Sequence, residues 1–510
     1  MALNPADSPI STDLDAVLDE ALDEALDEVL DEALDEALSE CAERATRSGA
    51  ARILSVGLSA GSIDPLAAYA GFATAERFFW GQQARGFSLA ARGGVAAIED
   101  PGAVSVADAI AGVGDSIAAV FASVDRVGPA DPLFVGGFAF DGRTAGQGEW
   151  QAFPAGRMVL PELLLRNRGG ETTATCNLRV EPGAGIEALR TRLGAELETL
   201  RALSEAGQGA GVYDSEPVSS ARGAEYRVVA DRAHPVFEAQ VASALEAIRA
   251  GDLEKVVLAR SLQVFNPGRF AIPGFLAQLG ALYPHCTVLA VGRDEDTLVA
   301  ASPELLVSLD QGEVEACALA GSAGRGRSPE EDVELGLALR ESKKEQAEHA
   351  AVARSIRAAL TPWTESLEEP EAPELMRVAG IQHLTTPFRG RLTRERRAAS
   401  VLDLVAELHP SPAVAGLPRA PALDWIAERE GLARGWYAGP VGWVGAKGEG
   451  EFWLALRSAL VRNAAPGDGG GESQARLFAG AGLVEGSVPQ AELVETRLKL
   501  RALLAPLTEI

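Results

Sequence analysis

The stretch FAGAGLVEGSVPQAELVETRLK, residues 478–499, joins a short glycine-spaced apolar run to an amphipathic segment that reads as the last helix of the chain, from about residue 490 to 504. Gly480, Gly482 and Gly486 come close to a dinucleotide-binding fingerprint, yet only about 25 residues follow, too few for the rest of a Rossmann unit. A backbone that closely approaches a small anion fits the run better. In the helix, Glu492 and Glu495 stand three apart and so on one face, and the same spacing recurs at Glu345 and Glu348 in SKKEQAEH. Two such faces together can grip one hard divalent cation through oxygen alone, which suits magnesium. A single pair is ordinarily a solvated helix surface, so the signal lies in the two together. Lys499, four residues after Glu495, shares its face either as a helix salt bridge or as a charge aimed at an anionic substrate.

Outward from this stretch, strand-like and helix-like segments alternate. VGWVGAKGEGEFWLALRSALV reads as a hairpin, and KVVLARSLQVF with residues 287–291, 297–301 and 305–310 are apolar runs of strand length. Helices are expected at 105–121, 185–206, 234–250 and 331–360. A Gly-, Ser- and Pro-rich run at 208–222 reads as a connection, dividing the fold into 48–230 and 231–510. The class is mixed α and β, and no repeat suggests a solenoid or propeller.

With 47% hydrophobic residues in 510, the chain can bury one large core or several smaller ones. No stretch reaches the roughly 18 uninterrupted apolar residues of a membrane span, and the start MALNPADSPISTDLD lacks a basic segment followed by an apolar run, so a cytoplasmic protein is expected. A formal charge of −27 repels nucleic-acid phosphates and anionic lipid, which removes both as partners. Cys41, Cys176, Cys286 and Cys317 form no C-x-x-C pair and read as buried thiols. H-E-x-x-H, G-x-S-x-G and G-x-x-x-x-G-K-[ST] are all missing, which argues against zinc-protease, hydrolase and P-loop chemistry.

Only five of the 46 basic residues are lysine, and a lysine in a plausible place is informative because arginine cannot be deprotonated to act as a base. Lys255 opens an apolar strand and Glu304 sits in Ser-Pro-Glu-Leu-Leu between two strands; each alone reads as a surface charge. Arg457, in a strand of otherwise apolar residues, either faces water at an edge or is buried against an anion. Near the start, Leu14, Leu18, Leu22, Leu26, Leu30, Leu34 and Leu38 recur every four residues within an acidic repeat. That period drifts by about 40° per repeat on a helix, so the leucines wind around it. Residues 1–47 are therefore expected to form an acidic helical or disordered leader outside the catalytic fold, with partner docking as the other reading.

Eight blocks, in order, resemble the chorismate-utilising enzymes, a group that includes isochorismate, salicylate, anthranilate and aminodeoxychorismate synthases. They are LEKVVLAR (253–260), ASPELL (301–306), LAGS (319–322), ESKKEQAEH (341–349), HPSPAVAG (409–416), GWYAGPVGW (435–443), ALRSAL (455–460) and the opening stretch. The likeness is strong from about Ala233 to Leu503 and weaker upstream. It implies one large α/β fold of antiparallel sheets packed together with helices outside. It also implies Mg²⁺ held by Glu348 and Glu495, with Glu345 and Glu492 close by, against the ring carboxylate of chorismate. Tyr437, Arg457 and the amides of Gly480, Ala481 and Gly482 would hold the enolpyruvyl carboxylate, His409 would meet the 4-hydroxyl, and Ser322 and Lys499 belong to the substrate-binding set.

The branch turns on two positions. By resemblance, Lys255 stands where the ammonia-using branch has glutamine, and Ala320 where aminodeoxychorismate synthases have a nucleophilic lysine. Both imply water: Lys255 takes its proton as it attacks carbon 2, while Glu304 protonates the departing 4-hydroxyl. Isochorismate is then the expected product, with GWYAGPVGW also closer to that branch. Leu493 and Ser322 depart from the tryptophan and threonine of many relatives and leave the ionic residues intact. The rivals are a salicylate synthase, which would go on to eliminate pyruvate, and an inactive chorismate-binding module. Chorismate is the expected partner, and a monomer the favoured state.

Overall fold

The structure, a computed structural model, describes residues 27–100, 105–209, 226–378, 380–464 and 471–508. The connection expected at 208–222 lies outside them from residue 210 on. The apolar runs form strands covered on both faces. In Thr287–Arg293 and Asp296–Ser302, residues Leu289, Val291, Leu298 and Ala300 join one core while Val288, Ala290, Val299 and Ala301 join another. Successive side chains point to opposite faces, so a strand buried on both sides needs apolar residues at both parities and shows no alternation.

The first core is shared by two sheets, of thirteen and ten strands among the described residues, the smaller contributing Phe134, Phe138 and Phe452. The second lies on the other face of the larger sheet, with helices Ile186–Gly209, Ile272–Leu282 and Pro489–Thr508 packed on it. Strand pairing is antiparallel apart from Arg52–Ser59 with Val124–Val127 among the described residues. No helix of the described residues is long and apolar enough to cross a membrane.

The chain passes between the sheets repeatedly, and two of these passages run side by side. Asp296–Ser302 pairs with Ser458–Arg462 in the larger sheet, and Leu305–Asp310 pairs with Gly450–Leu454 in the smaller. Leu454 N donates to Glu304 O at 3.1 Å, Ala301 N to Arg457 O at 3.1 Å, and Ser302 Oγ to Leu454 O at 2.5 Å. Arg457, expected inside a strand, sits at the passage itself with φ +46°, in the left-handed region that non-glycine residues seldom adopt.

The single helix expected at 331–360 is two, Pro329–Glu341 and Lys343–Leu360. Ser342 breaks it at ψ 114° and caps the second helix by accepting from Glu345 N, which sets Glu345 and Glu348 near a helix start. The final helix, Pro489–Thr508, carries Glu492 and Glu495 near its own start.

The acidic segment does not stay outside the fold up to residue 47. Helix Asp27–Ser48 buries Ala33, Leu34, Ala37, Leu38, Cys41, Ala42 and Ala45 in the second core, and Arg44 pairs with Asp125 at 3.0 Å. The apolar positions come as adjacent pairs, 33/34, 37/38 and 41/42, which widen the stripe enough to absorb a drift of about 40° per repeat over a few turns. Leu34 and Leu38 alone contribute roughly 3–6 kcal/mol by burial, against a stability on the order of 5–15 kcal/mol for a domain. A truncation starting at Arg47 is therefore expected to lower the melting temperature sharply and to aggregate; an unchanged melting curve would mean that this helix adds nothing.

Candidate active site

A cavity opens where these two passages meet. Glu304 and Arg457 come to it from the passages, Ser322 from the smaller sheet, Gly480 and Gly482 from strand Ser473–Leu483, and Tyr437 from the loop before Pro440–Gly445. Glu348, Glu495 and Lys499 reach it from the two glutamate-bearing helices.

Arg457 is only 6% exposed, and its electrostatic neighbours are the Cys286 thiol and Tyr283, with no carboxylate partner among the described residues. Its Nη2 lies 2.8 Å from His383 Nε2. A buried guanidinium without an anion is unfavourable, so the cavity is built to receive one. Glu304, 3% exposed, has the opposite character. Burial pushes its carboxyl up to about 8, against the pull of Lys255 and Lys499, so it is protonated at neutral pH and able to donate.

Lys255 is fully buried and does not reach the cavity surface; its Nζ lies 3.0 Å from Glu348 Oε1. Gly482, paired with Val257 and so two residues out of register with Lys255 on the same face, makes that pairing sterically available: a methyl group there would collide with the Glu348 carboxylate and press on Lys255 Cε at 3.1 Å. Gly480 leaves the same kind of room for the Tyr437 hydroxyl. Both glycines lie in a regular strand rather than in a loop wrapped around an anion. The Gly480 carbonyl accepts from Lys499 Nζ at 2.9 Å, so it is turned away from strand Lys255–Asn266, and its N–H with it. Ala481 is buried and off the cavity wall.

The four glutamates of the two helices are met by three lysines. Besides Lys255 with Glu348, Lys344 Nζ lies 2.8 Å from Glu492 and 3.1 Å from Glu345, and Lys499 Nζ 2.7 Å from Glu495. Burial pushes the Glu348 carboxyl up but is outweighed by Lys255, Lys344 and Lys499, which leave it below its ordinary value. Burial, then the neighbouring Glu495 charge, push Glu492 up to about 7, and burial likewise raises Glu345. Both Glu492 oxygens are buried without a well-formed hydrogen bond, although Lys344 is within ion-pair distance. Among the described residues no three ligating groups converge at metal-binding distance; the carboxylates are turned to the lysines. An oxygen-only donor set with fewer ammonium than carboxylate groups, one carboxylate being under-satisfied, fits a hard dication that displaces the lysines.

His409 departs from expectation. It is fully buried and off the cavity wall; its Nε2 donates to Phe140 O at 3.2 Å and its Nδ1 has no hydrogen-bond partner among the described residues. Three residues were missed. His383 and Arg434 both line the cavity, and Lys344 braces Glu345 and Glu492. Arg434 pairs with Glu430 at 2.5 Å and donates to the Val414 and Val257 carbonyls, knitting the wall together. The rarity of lysine was a signal for Lys344, and a lone histidine in the strand IQHLTTPFRGRL was one for His383.

Residues 36–508 match the family described as chorismate binding enzyme. The salicylate biosynthesis isochorismate synthase of Pseudomonas aeruginosa is 39% identical over 75% of this chain and 76% of its own length. Isochorismate synthase MenF of Bacillus subtilis is 34% identical over 74% of each. Among solved structures, the menaquinone-specific isochorismate synthase MenF of Escherichia coli aligns with 92% of this chain and all of its own, at a TM-score of 0.70 and 24% identity. Anthranilate synthase component I of Streptococcus pneumoniae aligns with 82% of this chain and 92% of its own, at 0.62 and 22%. These two likenesses concern the fold, which is shared by proteins of different names, so the reaction must be argued from the site.

If Glu304 holds a proton at neutral pH, difference infrared spectra between wild type and Glu304→Gln should show a protonated-carboxyl band at pH 7 that disappears as pH rises through about 8. A carboxylate band at pH 7 would remove Glu304 as a ready acid.

Proposed function

The chain belongs to the chorismate-binding enzymes, and from that premise we propose that it is a magnesium-dependent isomerase converting chorismate reversibly to isochorismate. The observation that carries this reading is Glu304, a buried carboxyl held protonated in the same cavity as the Arg457 guanidinium, which has no carboxylate partner among the described residues. A site that must protonate a departing hydroxyl next to a bound carboxylate needs both. The relatives' names agree on isochorismate formation.

Arg457 and the outward-turned Gly480 amide bind the enolpyruvyl carboxylate, with the Tyr437 hydroxyl beside them. Glu304 gives its proton to the 4-hydroxyl as it leaves. Lys255 Nζ, which must first part from Glu348, open onto the cavity and give up its ammonium proton to solvent, then takes the proton of the water that attacks carbon 2. Ala320, on the cavity wall, offers no amine to compete with that water. Glu348 and Glu495, with Glu345 and Glu492, would hold magnesium, which when bound supplies positive charge for the ring carboxylate. In the return direction Glu304 and Lys255 exchange roles.

Chorismate with Mg²⁺ is expected to give accumulating isochorismate. Salicylate with pyruvate would move the chain to the salicylate-forming branch, and no turnover would leave a binding module. Positioned proton transfer contributes about 10²–10⁴ in rate, so Lys255→Ala and Glu304→Gln should each lose at least about a hundredfold in kcat while still binding chorismate. Near wild-type turnover of either variant would remove it from the chemistry. Glu348→Gln and Glu495→Gln should weaken Mg²⁺ and chorismate binding together by calorimetry, and unchanged Mg²⁺ affinity would place the cation elsewhere.

A further inference from the structure

His383 is buried in the cavity wall, and its two neighbours determine its chemistry. Arg457 Nη2 lies 2.8 Å from its Nε2. A guanidinium has donors only, so Nε2 is the bare accepting nitrogen, and the single proton of a neutral imidazole sits on Nδ1. Nδ1 is 2.9 Å from Ser322 Oγ and therefore donates to it. With that lone pair engaged, the serine's own hydrogen points away from His383, on a residue that lines the cavity. Burial, then the charges of Arg457 and Lys499, hold the imidazole well below its ordinary pKa against the opposing Gly321 carbonyl, which keeps it neutral.

We propose that His383 is a positioning residue that, as the neutral Nδ1–H tautomer, holds Arg457 without cancelling its charge and turns Ser322 into a donor toward anionic oxygens of the substrate. The inference rests on the function proposed above for its substrate, a dicarboxylate. The polarity runs one way, from Arg457 through His383 and Ser322, so that hydrogens face the bound anion at both ends. A carboxylate at this position would orient Arg457 equally well but would neutralise it. An imidazolium would have no lone pair left to hold the guanidinium.

Two measurements test the proposal. In ligand-free protein labelled with ¹⁵N-histidine, with His383 assigned by its loss in His383→Gln, Nδ1 should carry the proton and Nε2 should not, with no titration between roughly pH 5.5 and 8.5. A protonated Nε2, or titration within that window, would overturn the tautomer and the proposal with it. The second compares two side chains of one shape. His383→Gln keeps a neutral oxygen acceptor for Arg457 and should raise the KM for chorismate by about tenfold or less. His383→Glu places a carboxylate there and should raise it by about a hundredfold or more, with kcat less affected in both. Equal effects of the two would reduce His383 to a structural residue. Failure of the wild type to turn over chorismate would sink the proposed function while leaving the tautomer measurement intact, so the two failures are distinguishable.

Discussion

Two main-chain hydrogen bonds, from Ala301 N to Arg457 O and from Leu454 N to Glu304 O, tie two of the chain's passages between sheets to one another. The rest of the site depends on that tie. It fixes Glu304 and Arg457, an acid and an anion anchor, on backbone that belongs to both sheets at once, where neither can shift without moving the two cores. The left-handed conformation of Arg457 is the local strain that this arrangement holds in place. Because both residues sit between strands, their side chains escape the strict alternation that would have sent them into one core or the other.

Around this tie the site keeps a deliberate charge imbalance. On one side a guanidinium is held by neutral His383 and faces no carboxylate among the described residues. On the other, Lys255, Lys344 and Lys499 are spread over Glu345, Glu348, Glu492 and Glu495. Buried charges are tolerated when paired, and each lysine here occupies a place that a hard cation would contest. One side of the cavity therefore suits an anion and the other a cation; under the proposed function, a dianionic substrate and a magnesium ion held by the glutamates would meet both.

Much of this was legible in the sequence, for physical reasons. Strands buried on both faces read as unbroken apolar runs, as 297–301 does, and helices with a polar face read by period, as His234–Ala250 does. The paired glutamate spacing pointed to two facing helices, and the structure brings both sets to one cavity edge. What could not be read was tertiary. The break at Ser342 is a capping choice inside a continuous helical pattern, and the place of Arg457 depends on a change of sheet that leaves no local signature. Helix Asp27–Ser48 was misjudged because a drifting leucine repeat looked unable to form a face, whereas adjacent alanines widened the stripe. His409 was assigned to the substrate by resemblance, and the structure gives its Nε2 to Phe140 instead. His383 drew no attention because its partners lie 61 and 74 residues away along the chain.

The central claim is that a solvent water enters at carbon 2 on the Lys255 side while Glu304 protonates the hydroxyl that leaves carbon 4. Turnover of chorismate in water enriched in ¹⁸O, followed by mass spectrometry of the earliest product, tests it most directly. Isochorismate carrying one heavy oxygen, at the carbon 2 hydroxyl, is the expected result; isochorismate that retains the original hydroxyl oxygen of chorismate would contradict it.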